Sequence, residues 1–307
     1  MKFLKYAWRI LHRTGENFSE DNCLKLAASL SYYTIFAVAP LLIIIISIVG
    51  SFFGRDAVEG KVYTEMQTLV GSAAALQIQQ IIVNVERSHN TVISTAIGIV
   101  ILFVGATGIF TEIQGSINFI WSVKAKPKKS WLKYLINRAL SFVLVLTLGF
   151  LLVVTLISST LFTLLGDRLV VAFPNATVYL LNTLNVFLLL ISITSLFIVI
   201  YKVLPDAVIS WRDALVGSVF TAILFLAGKY LIGIYLSRSR LGVTYGTAAS
   251  VVIILTWVYY SSVILYFGAE FTRAFALESG HGIRPKPTAV FIIKRESKEI
   301  PPSRIDL

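Results

Sequence analysis

Over 307 residues the chain is 56% hydrophobic and 14% charged, with mean hydropathy +0.80; soluble domains carry roughly 25% charge, so that class is excluded. A β-barrel is excluded too, because the apolar runs are continuous and about twice as long as the roughly ten-residue alternating segments of barrel strands. Net charge +11 and pI near 9.7 invite nucleic acid, but the placement of Lys and Arg follows membrane topology instead, and the single Cys23 admits no intrachain disulfide.

Residues 2–13 put Lys2, Lys5, Arg9, His12 and Arg13 on one helical face and Leu4, Ala7, Trp8 and Leu11 on the other. That pattern predicts an interfacial amphipathic helix over 1–18, lying on an anionic leaflet. Thr14 and Gly15 are expected to interrupt it, and Ser19, followed by Glu20 and Asp21, reads as the cap of the next helix. Span one follows at about 24–53, bent by Pro40. Its apolar run is long and starts only near Leu30, so no cleaved signal is expected.

Residues 54–90 are polar, yet Ala73, Ala74, Ile78, Ile81, Ile82 and Val85 keep a helical stripe. Short helices packed on the outer surface are expected there. Span two is predicted at about 92–117, followed by the basic loop with Lys124, Lys126, Lys128, Lys129 and Arg138, candidate contacts for lipid head groups. Spans three, four and five fall at about 139–165, 178–203 and 214–236. Span six covers about 244–272, and its Thr256, Tyr259, Ser262, Tyr266 and Glu270 recur at gaps of three or four along one face. A lipid-facing helix has no use for such a polar stripe. The tail, 281–307, reads as disordered.

The fold class is thus all-α integral membrane, with six spans in a 19–280 membrane domain. Six spans leave both termini on one side, where 20 of the 27 Lys and Arg gather. By the positive-inside rule that side is the cytoplasm, and the basic pI is accounted for with no nucleic acid.

Ionisable groups inside spans are costly, about 2.5 to 3.5 kcal/mol at the centre on insertion scales, which makes them functional candidates. Glu112, Lys229 and Glu270 qualify. Glu112 shares a face with Gly105, Gly108 and Gly115, beside a stripe of Thr107, Thr111, Gln114 and Asn118. That face either packs helices by hydrogen bonds or lines a cavity with span six. The candidate cavity set is Glu112, Gln114, Asn118, Lys229, Tyr245, Tyr259, Tyr266 and Glu270. Arg273, one turn beyond Glu270, offers it a plain ion pair. His12, His89 and His281 are scattered, and no phosphate-cradling loop or nucleophile elbow appears. No enzyme, metal or cofactor is expected.

Four stretches carry a resemblance: DNCLKLAASLSYYTIFAVAP from Asp21, EIQGSINFIW from Glu112, WRDALVGSVFTAILFLAGKYLIGIYLS from Trp211 and YGTAASVVIILTWVYYSSVILYFGAE from Tyr245. Together, over roughly 15–280, the chain resembles the YihY/BrkB family of bacterial inner-membrane proteins. The resemblance implies a six-span protein of the cytoplasmic membrane whose members have been linked to serum resistance and proposed to transport envelope lipids or their precursors. Asp21, Asn22, Tyr32, Glu112, Asn118, Arg212, Asp213, Lys229, Tyr245 and Glu270 are the matching polar residues, with no catalytic role implied. The family's old label of ribonuclease BN finds no hydrolytic metal site in these residues. The expectation is a transporter or flippase-like protein with membrane lipids as partners, homo-oligomerisation staying open; the alternative is a non-transporting scaffold of the envelope.

Overall fold

The computed structural model describes residues 2–36, 67, 75–77, 79, 108–126, 174–239, 244–245 and 248–294. Pro40 and the rest of span one, most of 54–90, span three, Lys128, Lys129 and Arg138, and the tail beyond Lys294 lie outside the described residues.

Helix α1 runs over Lys2–Glu20, and the break expected at Thr14 and Gly15 is absent. Thr14 is wholly buried, and its hydroxyl donates back to the Ile10 carbonyl at 2.7 Å, so it costs the helix no unmet polar group. The chain turns instead at Asn22, whose φ of 52° lies in the left-handed region that Asn tolerates. Ser19 belongs to the last turn of α1, where its carbonyl accepts from Asn22 N–H at 3.1 Å, and is not the cap of a new helix. Helix α2 then covers 23–36 and helix α3 covers 108–120.

After α3 the chain reverses at Ser122, φ 57°, into strand β1, Val123–Ala125. Helix α4, Pro174–Ile198, starts at proline, whose missing N–H is no loss in a first turn. It widens into a π-turn over Val199–Val203. Strand β2, Ala207–Val208, leads to helix α5, Trp211–Arg238. The Ser210 side chain caps α5 by accepting from Asp213 N–H at 3.2 Å, and the Asp213 carboxylate favours the positive end of the helix. Ser210→Ala should lower stability by about 1 kcal/mol, read as a fall in thermal unfolding temperature in detergent.

Helix α6 occupies Ala249–Glu278 and stops where Gly280 takes φ 80°, the left-handed end that glycine adopts freely. The tail does not match its expected disorder up to Lys294. Strand β3, Arg284–Pro285, pairs antiparallel with β2, and β4, Ala289–Phe291, pairs antiparallel with β1. These ladders satisfy the backbone groups that Pro- and Lys-containing sequence was expected to leave to water.

Among the described residues three helices are long and apolar enough to cross a membrane: Val186–Val203, Trp211–Leu236 and Val251–Glu278. Helix α5 packs between α4 and α6, and α1 lies against α6. The α5–α6 seam is built on small residues. A Cβ on Gly217 would fall 1.9 Å from Thr272 Oγ1, and one on Gly268 would fall 2.0 Å from Thr221 Oγ1. Such close approach of two backbones is how helices associate where no hydrophobic force separates protein from lipid. Tyr201, from the π-turn, donates to the Leu265 carbonyl at 2.7 Å and meets Thr221 Oγ1 at 3.2 Å, locking α4 into the same seam. Phe220 stacks on Phe271 at 3.7 Å between ring centroids. Trp121, Tyr201, Tyr266 and Glu270 are among the largest fully buried side chains.

Candidate functional site

The polar groups gather at one end of the bundle, where α1 meets α2, α3 and α4 finish, α5 begins and α6 ends. The two strand pairs cap this end, and three clusters sit beneath them.

The first cluster is a knot of four charges. Glu270 on α6 is fully buried, and Arg273, one turn on, holds its Oε2 at 3.6 Å. Arg273 also reaches Asp21 Oδ2 at 3.5 Å and donates to Ser122 Oγ at 3.2 Å. Lys294 in the tail binds Asp21 as well, donates to the Ile120 carbonyl at 3.3 Å and rests over the Phe119 ring. Cys23 lies underneath, its thiol 4.0 Å from Glu270 Oε1. Burial, and then the Glu270 and Asp21 carboxylates, push that thiol up from its ordinary range, which keeps it protonated and inert. Glu270 Oε2 has no N–H or hydroxyl partner among the described residues, and a hydrogen bond between the Glu270 and Asp21 carboxyl groups requires a proton held between them. Two acids thus face two cations, and the most buried of the four relies on Arg273 and on a proton shared with Asp21.

The second cluster holds the bend after α4. Asn118 Nδ2 donates to Asp206 Oδ2 at 2.9 Å, while Asp206 N–H donates to Asn118 Oδ1 at 2.8 Å. Gln114 Nε2 adds bonds to the Leu204 carbonyl at 3.0 Å and to Asp206 Oδ2 at 3.2 Å. Two candidate cavity residues therefore clamp α3 onto the α4 end. The third cluster joins α5 to α6. Buried Asp213 Oδ1 accepts from Ser279 Oγ at 3.2 Å and lies 3.2 Å from His281 Nδ1, and Ser279 and His281 are 3.1 Å apart. The hydroxyl and the carboxylate meet the same imidazole nitrogen, so the trio lacks the two-sided relay of a nucleophile, base and orienting acid. Among the described residues no three His, Cys, Asp or Glu side chains come together as metal ligands would.

The remaining sequence candidates disperse. Tyr266 is fully buried one turn before Glu270, with its hydroxyl near Ser116 and in electrostatic reach of Glu112 and Cys23. Glu112 and Tyr259 are half-buried, and Tyr245 is exposed. Lys229 is half-buried with its ammonium over the Tyr230 ring at 5.3 Å, far along α5 from the knot. Thr256 and Ser262 donate to the Val252 and Val258 carbonyls of their own helix, each at 2.7 Å, which accounts for part of the polar stripe without any partner. Gly115, expected to face a neighbouring helix, has nothing near its Cβ position. Lys124 and Lys126 are exposed, on β1 and just after it.

Sequence reasoning misses Asp206 and Lys294, and it singles out Asp213 only through the resemblance, without its partners Ser279 and His281. Asp206 follows the helix-breaking Pro205, a signal that marks a bend in need of satisfaction. Lys294 had no local signal, because its partner Asp21 lies far away in the chain.

The family model described as Virulence factor BrkB matches residues 14–292. Among curated proteins, the chain is 31% identical over 268 residues to a UPF0761 membrane protein of Azotobacter vinelandii, covering 86% of this chain and 61% of the relative. A UPF0761 membrane protein of Pseudomonas aeruginosa is 29% identical over 271 residues, covering 87% and 61%. One of Vibrio vulnificus is 28% identical over 255 residues, covering 81% and 76%. The chain thus spans about three-fifths of the length of the first two. No solved structure matches it. The matched stretch takes in the three clusters except Lys294, two residues past its end, and most of the tail that caps them, and the chain belongs to the Virulence factor BrkB family of integral membrane proteins.

Proposed function

We propose that this chain is a six-span protein of the bacterial cytoplasmic membrane, both termini in the cytoplasm, that carries an anionic amphipathic envelope component, a lipid or lipid precursor, between leaflets. It is read as a carrier without cofactor, not as an enzyme. The carrying observation is the charge knot. Glu270, fully buried in an apolar helix, shares Arg273 with Asp21 across two elements. Buried ionisable groups in a membrane protein are expensive, and a set with surplus demand is one that can exchange partners. A cation such as Arg273 can release a carboxylate in favour of an anionic head group, which would part α2 from α6. Exposed Lys124 and Lys126 would draw that head group toward the same end.

The second reading, a non-transporting scaffold, draws on the Gln114, Asn118 and Asp206 clamp, which is packing by hydrogen bonds. Lys124→Ala and Lys126→Ala, at the exposed residues that would draw the head group in, separate the two. As a carrier, the protein should keep its thermal unfolding temperature in both variants while leaflet exchange of a fluorescent anionic lipid in liposomes falls by about tenfold, a barrier rise of about 1.4 kcal/mol. Folded variants exchanging lipid as fast as the wild type would favour the scaffold.

A further inference from the structure

We propose that residues 283–294 form a detachable strap that docks across the strand-capped end and holds the charge knot shut. Describing the strap as a gate rests on the transport reading above, whereas its docking does not.

The strap is fastened at several places that are distant in sequence. Beyond its two strand ladders, Lys286 N–H donates to the Asp206 carbonyl at 2.9 Å, and Ile292 N–H to the Ser122 carbonyl at 2.9 Å. The Thr288 carbonyl accepts from Lys126 N–H at 2.8 Å. Lys286 Nζ reaches the Val203 carbonyl at 3.4 Å, and Lys294 closes the row on Asp21 and on the Ile120 carbonyl. One short segment thereby ties together the ends of α3 and α4 and the start of α2.

Little apolar burial backs these polar ties. Of its large apolar side chains Ile283 is buried, whereas Phe291 is 58% and Ile293 79% exposed. Ladders of two and three residues are too short to stand alone. Gly280 and Gly282, at φ 80° and 64°, place two freely turning residues just before the strap. Many hydrogen bonds near solvent with few buried contacts mark a segment that opens locally at low free energy.

Opening has a consequence inside the bundle. With Lys294 docked, Asp21 and Glu270 face two cations; with the strap away they share Arg273 alone. A buried carboxylate left short of positive charge takes up a proton, draws in water or pushes its elements apart, and each of these weakens the ion pairs that hold the elements together. The contact so loosened is the one between α2 and α6 that covers Cys23.

Cys23 is the chain's one cysteine, and it reports this event directly. The purified full chain in liposomes is treated with N-ethylmaleimide, and adduct formation is followed by intact mass. Wild type should react slowly, Lys294→Ala about tenfold faster, and Lys294→Arg at nearly the wild-type rate. Folded Lys294→Ala reacting as slowly as wild type overturns the strap. Deuterium exchange on the wild type gives a second test that needs no variant. Amides of 284–292 should exchange about 100-fold faster than those in the middle of α6, and equal protection overturns the proposal. Faster alkylation in Lys294→Ala beside a wild type that moves no lipid removes the transport reading and leaves the strap standing. Lipid exchange by wild type beside unchanged alkylation removes the strap alone.

Discussion

Gly268→Ala should be among the most damaging single methyl additions the chain can suffer. The new Cβ would fall 2.0 Å from Thr221 Oγ1 and 2.5 Å from the Tyr201 hydroxyl. Neither neighbour can withdraw cheaply. Thr221 donates to the Gly217 carbonyl at 2.7 Å, and Tyr201 donates to the Leu265 carbonyl from a rigid, fully buried ring. Relief therefore requires α5 and α6 to part, at a cost of about 3 kcal/mol for an overpacked core. Thermal unfolding in detergent should show this as a large drop or as loss of the folded peak. Gly233→Ala, on α5, has open space at its Cβ and should change little. Removing the obstructing hydroxyl as well, in Gly268→Ala with Thr221→Ala, should restore part of the loss, and the double-mutant cycle measures the contact itself.

Arg273→Ala should cost nearly as much by a different mechanism. The guanidinium serves Glu270, Asp21 and Ser122 at once, and its loss leaves the buried Glu270 carboxylate without its cation. Removing one partner of a buried pair typically costs about 3 to 5 kcal/mol. Because Arg273 itself keeps some contact with solvent, the lower end of that range, about 3 kcal/mol, is expected. Arg273→Ala combined with Glu270→Gln should recover much of the stability, since the stranded charge goes with the pair. If the double variant is as unstable as the single, the guanidinium acts through Asp21 and Ser122 and not through Glu270.

The long helices were legible because their signal is hydropathy over many residues. α5 and α6 were expected at 214–236 and 244–272 and run over Trp211–Arg238 and Ala249–Glu278. The helix starts three residues before the expected 214, where Ser210 with Asp213 three residues on is a capping signal. Gly15 suggested a break that α1 does not make, since a helix held by packing against α6 overrides one weak propensity.

The site was legible only in its acids and amides. Glu270, Gln114 and Asn118 stood out because polar groups in apolar helices need partners, and two of the three find them on one backbone bend. Which partners they take depends on contacts between residues far apart in the chain. Asp206 lies 88 positions from Asn118, and Lys294 lies 273 from Asp21. The tail strands were hidden for the same reason. Ala289–Phe291 pairs with Val123–Ala125 across most of the chain, and no local pattern carries such a ladder.

The most direct measurement is leaflet exchange of a labelled anionic phospholipid in liposomes with and without the purified wild-type chain, alongside a zwitterionic lipid of the same tails. Exchange accelerated by the protein, and more for the anionic head group than for the zwitterionic one, is the expected result. Identical rates in empty and protein-bearing liposomes for both lipids would contradict a carrier gated by the Asp21, Glu270, Arg273 and Lys294 knot.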